Sequence, residues 1–238
     1  MRLLVSVADP SEARAALAGG ADVVDAKDPR VGALGAVRPD VLRAVREAVG
    51  ATRPLSAALG DGGSAAALER RAATASALGA AFVKVGFSGA ATPARARRLA
   101  AAARRGAGDL TRVVLVAYAD SRRVGSLDPA AIISVAVETE AAGVLLDTAG
   151  KSTSLFALVD AETVGRWVAA AHGVGLFAGL AGSLEGKDFA LARALDADLV
   201  GVRGAACVGG RTGRVVAARV AALSALTGAP LSTPAALV

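Results

Sequence analysis

Four lysines stand among 23 arginines in this chain, and three of them lie in, or within three residues of, a β-like run. Lys27 ends "DVVDAK" two residues after Asp25, Lys84 sits within "AFVKVGF", and Lys151 follows Asp147 by four residues. A lysine amine can lose its proton and attack a carbonyl, whereas a guanidinium keeps its charge. Burial among apolar walls, or a second ammonium nearby, lowers a lysine pKa from about 10.4 toward ~7–8, where the amine works as nucleophile or base. Two such lysines in one mouth would assist each other, with aspartates holding them and moving protons. The same residues also fit a plain ion pair between Asp25 and Lys27, in a chain that writes positive charge as arginine throughout. On residue types alone both readings stand.

The elements that must position these residues alternate regularly. Strands are read at 3–7, 22–27, 54–59, 81–87, 112–118, 143–148, 175–182 and 198–204. Between them lie alanine-rich segments such as 10–20 and 40–50, with apolar residues at helical spacing and a glycine near the end. Eight repeats of strand and helix, with no composition break marking a linker, predict a single (β/α)8 TIM barrel over 1–227. The segment 228–238 is expected to be a loosely ordered C-terminal tail. A doubly wound sheet is the competing topology, although no strand leads into G-x-G-x-x-G or a Walker A loop. Within a barrel, the period of two sends Asp25 and Lys27 inward with Phe82, Lys84 and Gly86, while Val24, Ala26, Val83 and Val85 face the helices. Asp25, Lys27, Lys84 and Asp147 then gather near the C-terminal strand ends, where barrel enzymes carry their chemistry.

Composition narrows the class. Hydrophobic residues make up 54% of the 238 and aromatics 3%, so the core is built from Ala, Val and Leu. No apolar run reaches the ~18 residues of a membrane span. The start "MRLLVSVADP" is too short in apolar residues for a signal-peptide core, and a single cysteine, Cys207, forms no internal disulfide. A cytoplasmic protein is expected. The net charge of +6 raises nucleic acid as a partner. However, the arginines cluster at helical spacing among alanines with almost no ring to stack a base, so solvated helix faces are expected instead. One histidine, one cysteine and no H-x-x-x-H spacing argue against a metal, and no cofactor is expected. A homo-oligomer is compatible with this reading.

Two glycine-bearing turns follow the last strands, "AGLAGSL" and "GVRGAACVGGR". Loops there often present backbone N–H groups to a phosphate. Gly182, Ser183, Arg203 and Gly204 are the candidates, against the alternative of tight turning alone. "YADSRRVGSLDP" reads as a second anion grip through Arg122 or as a salt-bridged loop, and "GDGGS" at 60–64 as a flexible lid or a disordered loop. His172 is expected to cap a helix end, Cys207 to be a packed thiol and Lys187 to lie on the surface.

The segments "LLVSV", "AGGADVVDAKDPRVGALGA", "VKVG", "YADSRRVGSLDP", "LLDTAGK", "AGLAGSL" and "VGVRGAACVGGR" together resemble the (5-formylfuran-3-yl)methyl phosphate synthase family. The resemblance implies a phosphate-binding barrel and a carbon–oxygen lyase that acts on phosphates. Such an enzyme joins two molecules of glyceraldehyde 3-phosphate, with loss of one phosphate and two waters, for methanofuran-type one-carbon carrier biosynthesis. It implies that Lys27 is the Schiff-base residue and Lys84 a proton-transfer residue, with Asp25, Asp147 and Lys151 in the same site. With one phosphate held by the glycine turns, the second is expected near Arg122 or Lys151. Where the family carries a more polar segment of the K-D-G type after "LLDTA", this chain reads "GKSTSLFALV". The alternative among enzymes is another Schiff-base class I aldolase or a sugar-phosphate isomerase.

Overall fold

The computed structural model describes residues 1–228. Eight parallel strands close into a barrel in sequence order: β1 (Arg2–Val7), β2 (Val23–Ala26), β3 (Leu55–Asp61), β4 (Phe82–Gly86), β5 (Arg112–Tyr118), β6 (Gly143–Asp147), β7 (Phe177–Leu180) and β8 (Leu199–Val202). The helices outside are α1 (Pro10–Ala18), α2 (Pro39–Val49), α3 (Ala65–Ala77), α4 (Pro93–Ala107), α5 (Pro129–Glu138), α6 (Leu155–Leu158), α7 (Ala161–Gly173), α8 (Phe189–Ala194) and α9 (Ala217–Leu226). A short antiparallel hairpin, β9 (Cys207–Val208) with β10 (Arg214–Val215), follows β8. The fold is the (β/α)8 barrel that the alternation predicts. Apart from Gly228, the segment read as a tail lies outside the described residues. Among those described, no helix is long and apolar enough to cross a membrane.

Local chemistry explains where the helices begin. Asp9, Thr92 and Asp128 each accept a hydrogen bond from a backbone N–H of the first helical turn, and each is followed by a proline. The cap satisfies an amide that the helix leaves unpaired, and proline supplies a preset φ where no N–H is needed.

Alternation along the strands divides the core in two. Val5, Val24, Val83, Leu115 and Val144 face the helices, and Leu4, Val23, Phe82, Val114, Leu145, Phe177 and Leu199 fill the lower barrel. Phe82 and Phe177 meet edge to face with ring centroids 6.1 Å apart. This apolar plug is the floor on which the polar residues above it rest.

Candidate active site

Above the floor the charged side chains meet as the strand phasing requires. Asp25 lies in β2 between Ser6 of β1 and Ser56 of β3. Its Oδ2 accepts from Ser6 Oγ at 2.8 Å and from Lys84 Nζ at 2.7 Å, with Lys84 only 4% and Asp25 0% exposed at the side chain. The ion pair read between Asp25 and Lys27 is therefore made by Lys84. Lys84 sits in the middle of β4, two residues short of its end, and reaches across β3, whose inward residues Ser56 and Ala58 are small. Burial would raise the Asp25 carboxyl, but the charges of Lys84 and Lys27 and the hydrogen bonds outweigh it, so Asp25 is held below its ordinary value.

Lys27 is the contrasting case. Its N–H continues the ladder to Val7 O, one residue beyond β2, and the residue is 7% exposed. Among the described residues its amine has no hydrogen bond or ion-pair partner. Burial first, and the Lys84 charge second, push its pKa down to about 7 against the opposing pull of Asp147 and Asp25. Asp147, the last residue of β6, accepts from Lys151 Nζ and from Thr148 N, both at 2.7 Å and both at Oδ1. Burial would raise Asp147, and Lys151 and Lys27 more than reverse it, so its pKa is lowered.

Lys27, Lys84, Asp147 and Lys151 line one cavity of about 370 Å3 with Gly182, Ser183, Arg203 and Gly204. The cavity occupies the side of the mouth formed by β6, β7, β8 and β1. Gly182 and Ser183 take φ of 102° and 52°, a sharp turn that glycine tolerates and serine tolerates less well, and Ser183 Oγ donates to Lys151 O. The loops after β6 and β7 are thereby joined.

Arg203 does not play the part expected of its side chain. Its guanidinium is buried and all five N–H groups are engaged, with Glu12 Oε1 and Oε2 and with the carbonyls of Ser6, Arg211 and Gly213. No donor remains for a phosphate. Arg122 lies elsewhere. After β5 the chain winds into a 3-10 turn, Ser121–Val124, that leaves Arg122 exposed beside a groove against α5 and α7, outside the barrel mouth. In the same loop Asp120 braces the chain after β6, accepting from Ala149 N at 2.7 Å and Gly150 N at 2.8 Å.

The 60–64 segment starts inside β3, which includes Gly60 and Asp61. Strict alternation would turn Asp61 outward with Leu59. A register shift between Ala58 and Asp61, with Gly60 at φ 100°, turns it to the mouth instead. Tyr118 Oη donates to Asp61 Oδ1 at 2.6 Å, and Gly62 N bonds Gly86 O. Leu34, fully buried, covers this side; a Cβ on Gly86 would strike Leu34 Cδ1 and Tyr118 Oη at 2.7 Å. The sequence reading missed Asp61 and Tyr118, and it missed Arg211 and Arg219, which line the cavity from the hairpin and from α9. Cys207 is a buried thiol raised by that burial and Lys187 is exposed beside Glu185, as expected, whereas the His172 ring, near the end of α7, pairs with the Asp198 carboxylate rather than capping helix carbonyls.

The family model for 4-HFC-P synthase matches residues 3–224, a span that includes every strand contributing to the cavity. The chain belongs to the 4-HFC-P synthase family. It is 42% identical over 222 residues to the (5-formylfuran-3-yl)methyl phosphate synthase of Methanopyrus kandleri, covering 90% of this chain and 92% of the relative. To the protein of the same name from Methanocaldococcus jannaschii it is 37% identical, covering 88% and 92%. The chain shares its barrel with more distant proteins. Phosphoribosyl anthranilate isomerase from Thermus thermophilus superposes with a TM-score of 0.64 at 16% identity over 95% of this chain and 98% of that one. A 3-hexulose-6-phosphate synthase gives 0.60 at 18% over 94% and 99%.

Proposed function

We propose that this protein is a lyase that condenses two molecules of glyceraldehyde 3-phosphate into (5-formylfuran-3-yl)methyl phosphate, releasing one phosphate and two waters. The observation that carries the reading is the Lys27 amine, which has no partner among the described residues, lines the cavity and has a pKa of about 7. Near neutral pH about half of such amines are uncharged. The neutral amine adds to the carbonyl of one triose phosphate and expels water to form an imine; protonated, this draws electrons from the adjacent carbon and acidifies its C–H. That water is returned when the product imine is hydrolysed.

Lys84 and Asp25 form the proton-transfer pair. The ammonium is held by the carboxylate at 2.7 Å, and Lys84 lines the same cavity as Lys27. Asp147 leaves Oδ2 without a hydrogen bond among the described residues, and this oxygen is the second proton acceptor. The backbone turns at Gly182, Ser183 and Gly204 hold one phosphate, which supplies binding energy remote from the reacting carbons. The family membership and the names of the relatives support the same reading. The product would feed a furan-based one-carbon carrier, and the reaction suits the cytoplasm.

Incubation with glyceraldehyde 3-phosphate and borohydride, followed by peptide mass spectrometry, tests this. A reduced adduct on Lys27, its loss in Lys27→Ala, and formation of a furan chromophore by the untreated enzyme are expected. Furan formation by folded Lys27→Ala would remove Lys27 from the covalent role. No furan from the wild-type protein would overturn the assignment.

A further inference from the structure

Among the described residues, the charges lining the cavity balance in pairs, with two exceptions besides Lys27. Lys84 is matched by Asp25, Lys151 by Asp147, Arg203 by Glu12, and Glu185 by Lys187. Arg211 and Arg219 make no ion pair among the described residues. Arg219 Nη1 donates to Cys207 O. Arg211 donates through Nη1 to Pro29 O and through Nη2 to Gly32 O, two carbonyls in the loop that follows Lys27. Two of its five N–H groups are thus engaged, and only with neutral partners.

The position of Arg211 is built from below. Glu12, buried in α1, clamps Arg203 with both oxygens and also accepts from Ala8 N and Val215 N. Arg203 in turn holds the carbonyls of Arg211 and Gly213, which fixes the β9–β10 hairpin over the mouth. The Arg211 backbone and Cβ lie 4.0 Å from where a Cβ on Gly204 would stand, so this side chain leaves the hairpin beside the turn after β8.

From this geometry we infer that Arg211 binds the phosphate monoester of the substrate and ties it to the loop behind Lys27, while Arg203 only positions the hairpin that carries it. The inference rests on the triose-phosphate reading for its ligand, a phosphate monoester dianion. A half-buried guanidinium without a carboxylate is the group such a dianion completes, through charge-assisted, bidentate hydrogen bonds. Arg219 adds a second positive charge from the first turn of α9. Because Arg211 also grips Pro29 and Gly32, bound phosphate would order the loop two residues beyond the imine-forming amine, so phosphorylated aldehydes would be favoured over unphosphorylated ones at Lys27.

Calorimetric titration of the whole protein with inorganic phosphate tests the subsite without turnover. Arg211→Ala and Arg211→Gln are each expected to weaken phosphate binding by about tenfold or more, the effect of removing a charge-assisted hydrogen bond. Gln retains a planar amide that can reach a carbonyl, so it serves if the Ala variant fails to fold. In borohydride trapping at Lys27, wild type should prefer glyceraldehyde 3-phosphate over glyceraldehyde, and both variants should lose most of that preference. Wild-type phosphate affinity in either folded variant, or no phosphate binding by the wild type, overturns the inference. Arg211-dependent phosphate binding in a protein that makes no furan would instead sink the synthase reading and leave this subsite standing.

Discussion

The two sides of the barrel mouth treat a strand-end carboxylate in opposite ways. On the β6–β8 side Asp147 meets Lys151 and faces Lys27 across an open cavity, and these charges hold its pKa down. On the β3–β5 side Asp61, among the described residues, accepts from the Tyr118 hydroxyl and the Ser88 N–H, with Leu34 packed alongside, and burial holds its pKa up despite those bonds. Tyr118 itself is raised well above its ordinary value, first by burial and then by Asp61. A carboxylate among lysines stays ionised and can accept a proton, whereas one whose partners are a phenol and a backbone N–H has no cation to hold it so. The contrast teaches that strand-end position alone does not make a residue chemical; a cationic partner beside the cavity does.

The comparison can be broken from the open side first. Asp147→Asn should lower furan formation by about 100-fold or more if its carboxylate moves a proton in the reaction. Asp147 is also the larger of the two carboxylate charges that raise the Lys27 pKa, so the acid limb of kcat/KM, expected near 7, should move lower in this variant. A pH–rate profile with an unmoved limb would separate Asp147 from Lys27.

The β3–β5 side is broken by removing Leu34. Leu34→Ala removes a fully buried side chain resting on Gly86 and Tyr118, and should destabilise the protein by about 2–4 kcal/mol in a urea titration. A loss under about 1 kcal/mol would mean that this half is not closed by Leu34. The smallest effect is expected for Asp61→Asn. Because the folded pKa of Asp61 is raised, its stabilising contribution is fully present below the unfolded carboxylate pKa and is lost as pH rises through the folded value. The Asn variant should therefore match or exceed wild-type stability near pH 7, by about 1 kcal/mol or less, with the gain disappearing in acid. A destabilised variant near neutrality would show that the ionised carboxylate is needed there.

Much of this was legible in the chain. The alternation of valine-rich runs with alanine-rich helices specifies a barrel because each strand must bury one face on helices and the other on its fellow strands. No predicted strand boundary is displaced by more than two residues. The phasing of "DVVDAK" and "AFVKVGF" aims Asp25, Lys27 and Lys84 inward for the same reason, and a local period of two needs no tertiary information.

Other features were decided only when distant segments met. Which lysine pairs with Asp25 depended on the reach of Lys84 over the small residues of β3, 59 positions away in the chain. The bulge at Gly60 reversed the facing of Asp61, which strict alternation assigns to the helices. Arg203 and Arg211 stand in one quoted stretch, and nothing local distinguishes them. Glu12, 191 residues from Arg203, neutralises one guanidinium, and the hairpin delivers the other to the cavity. Side-chain direction along a strand is a short-range property of the backbone; the partner that neutralises a charge, and the water that reaches it, are set by contacts between elements far apart in sequence.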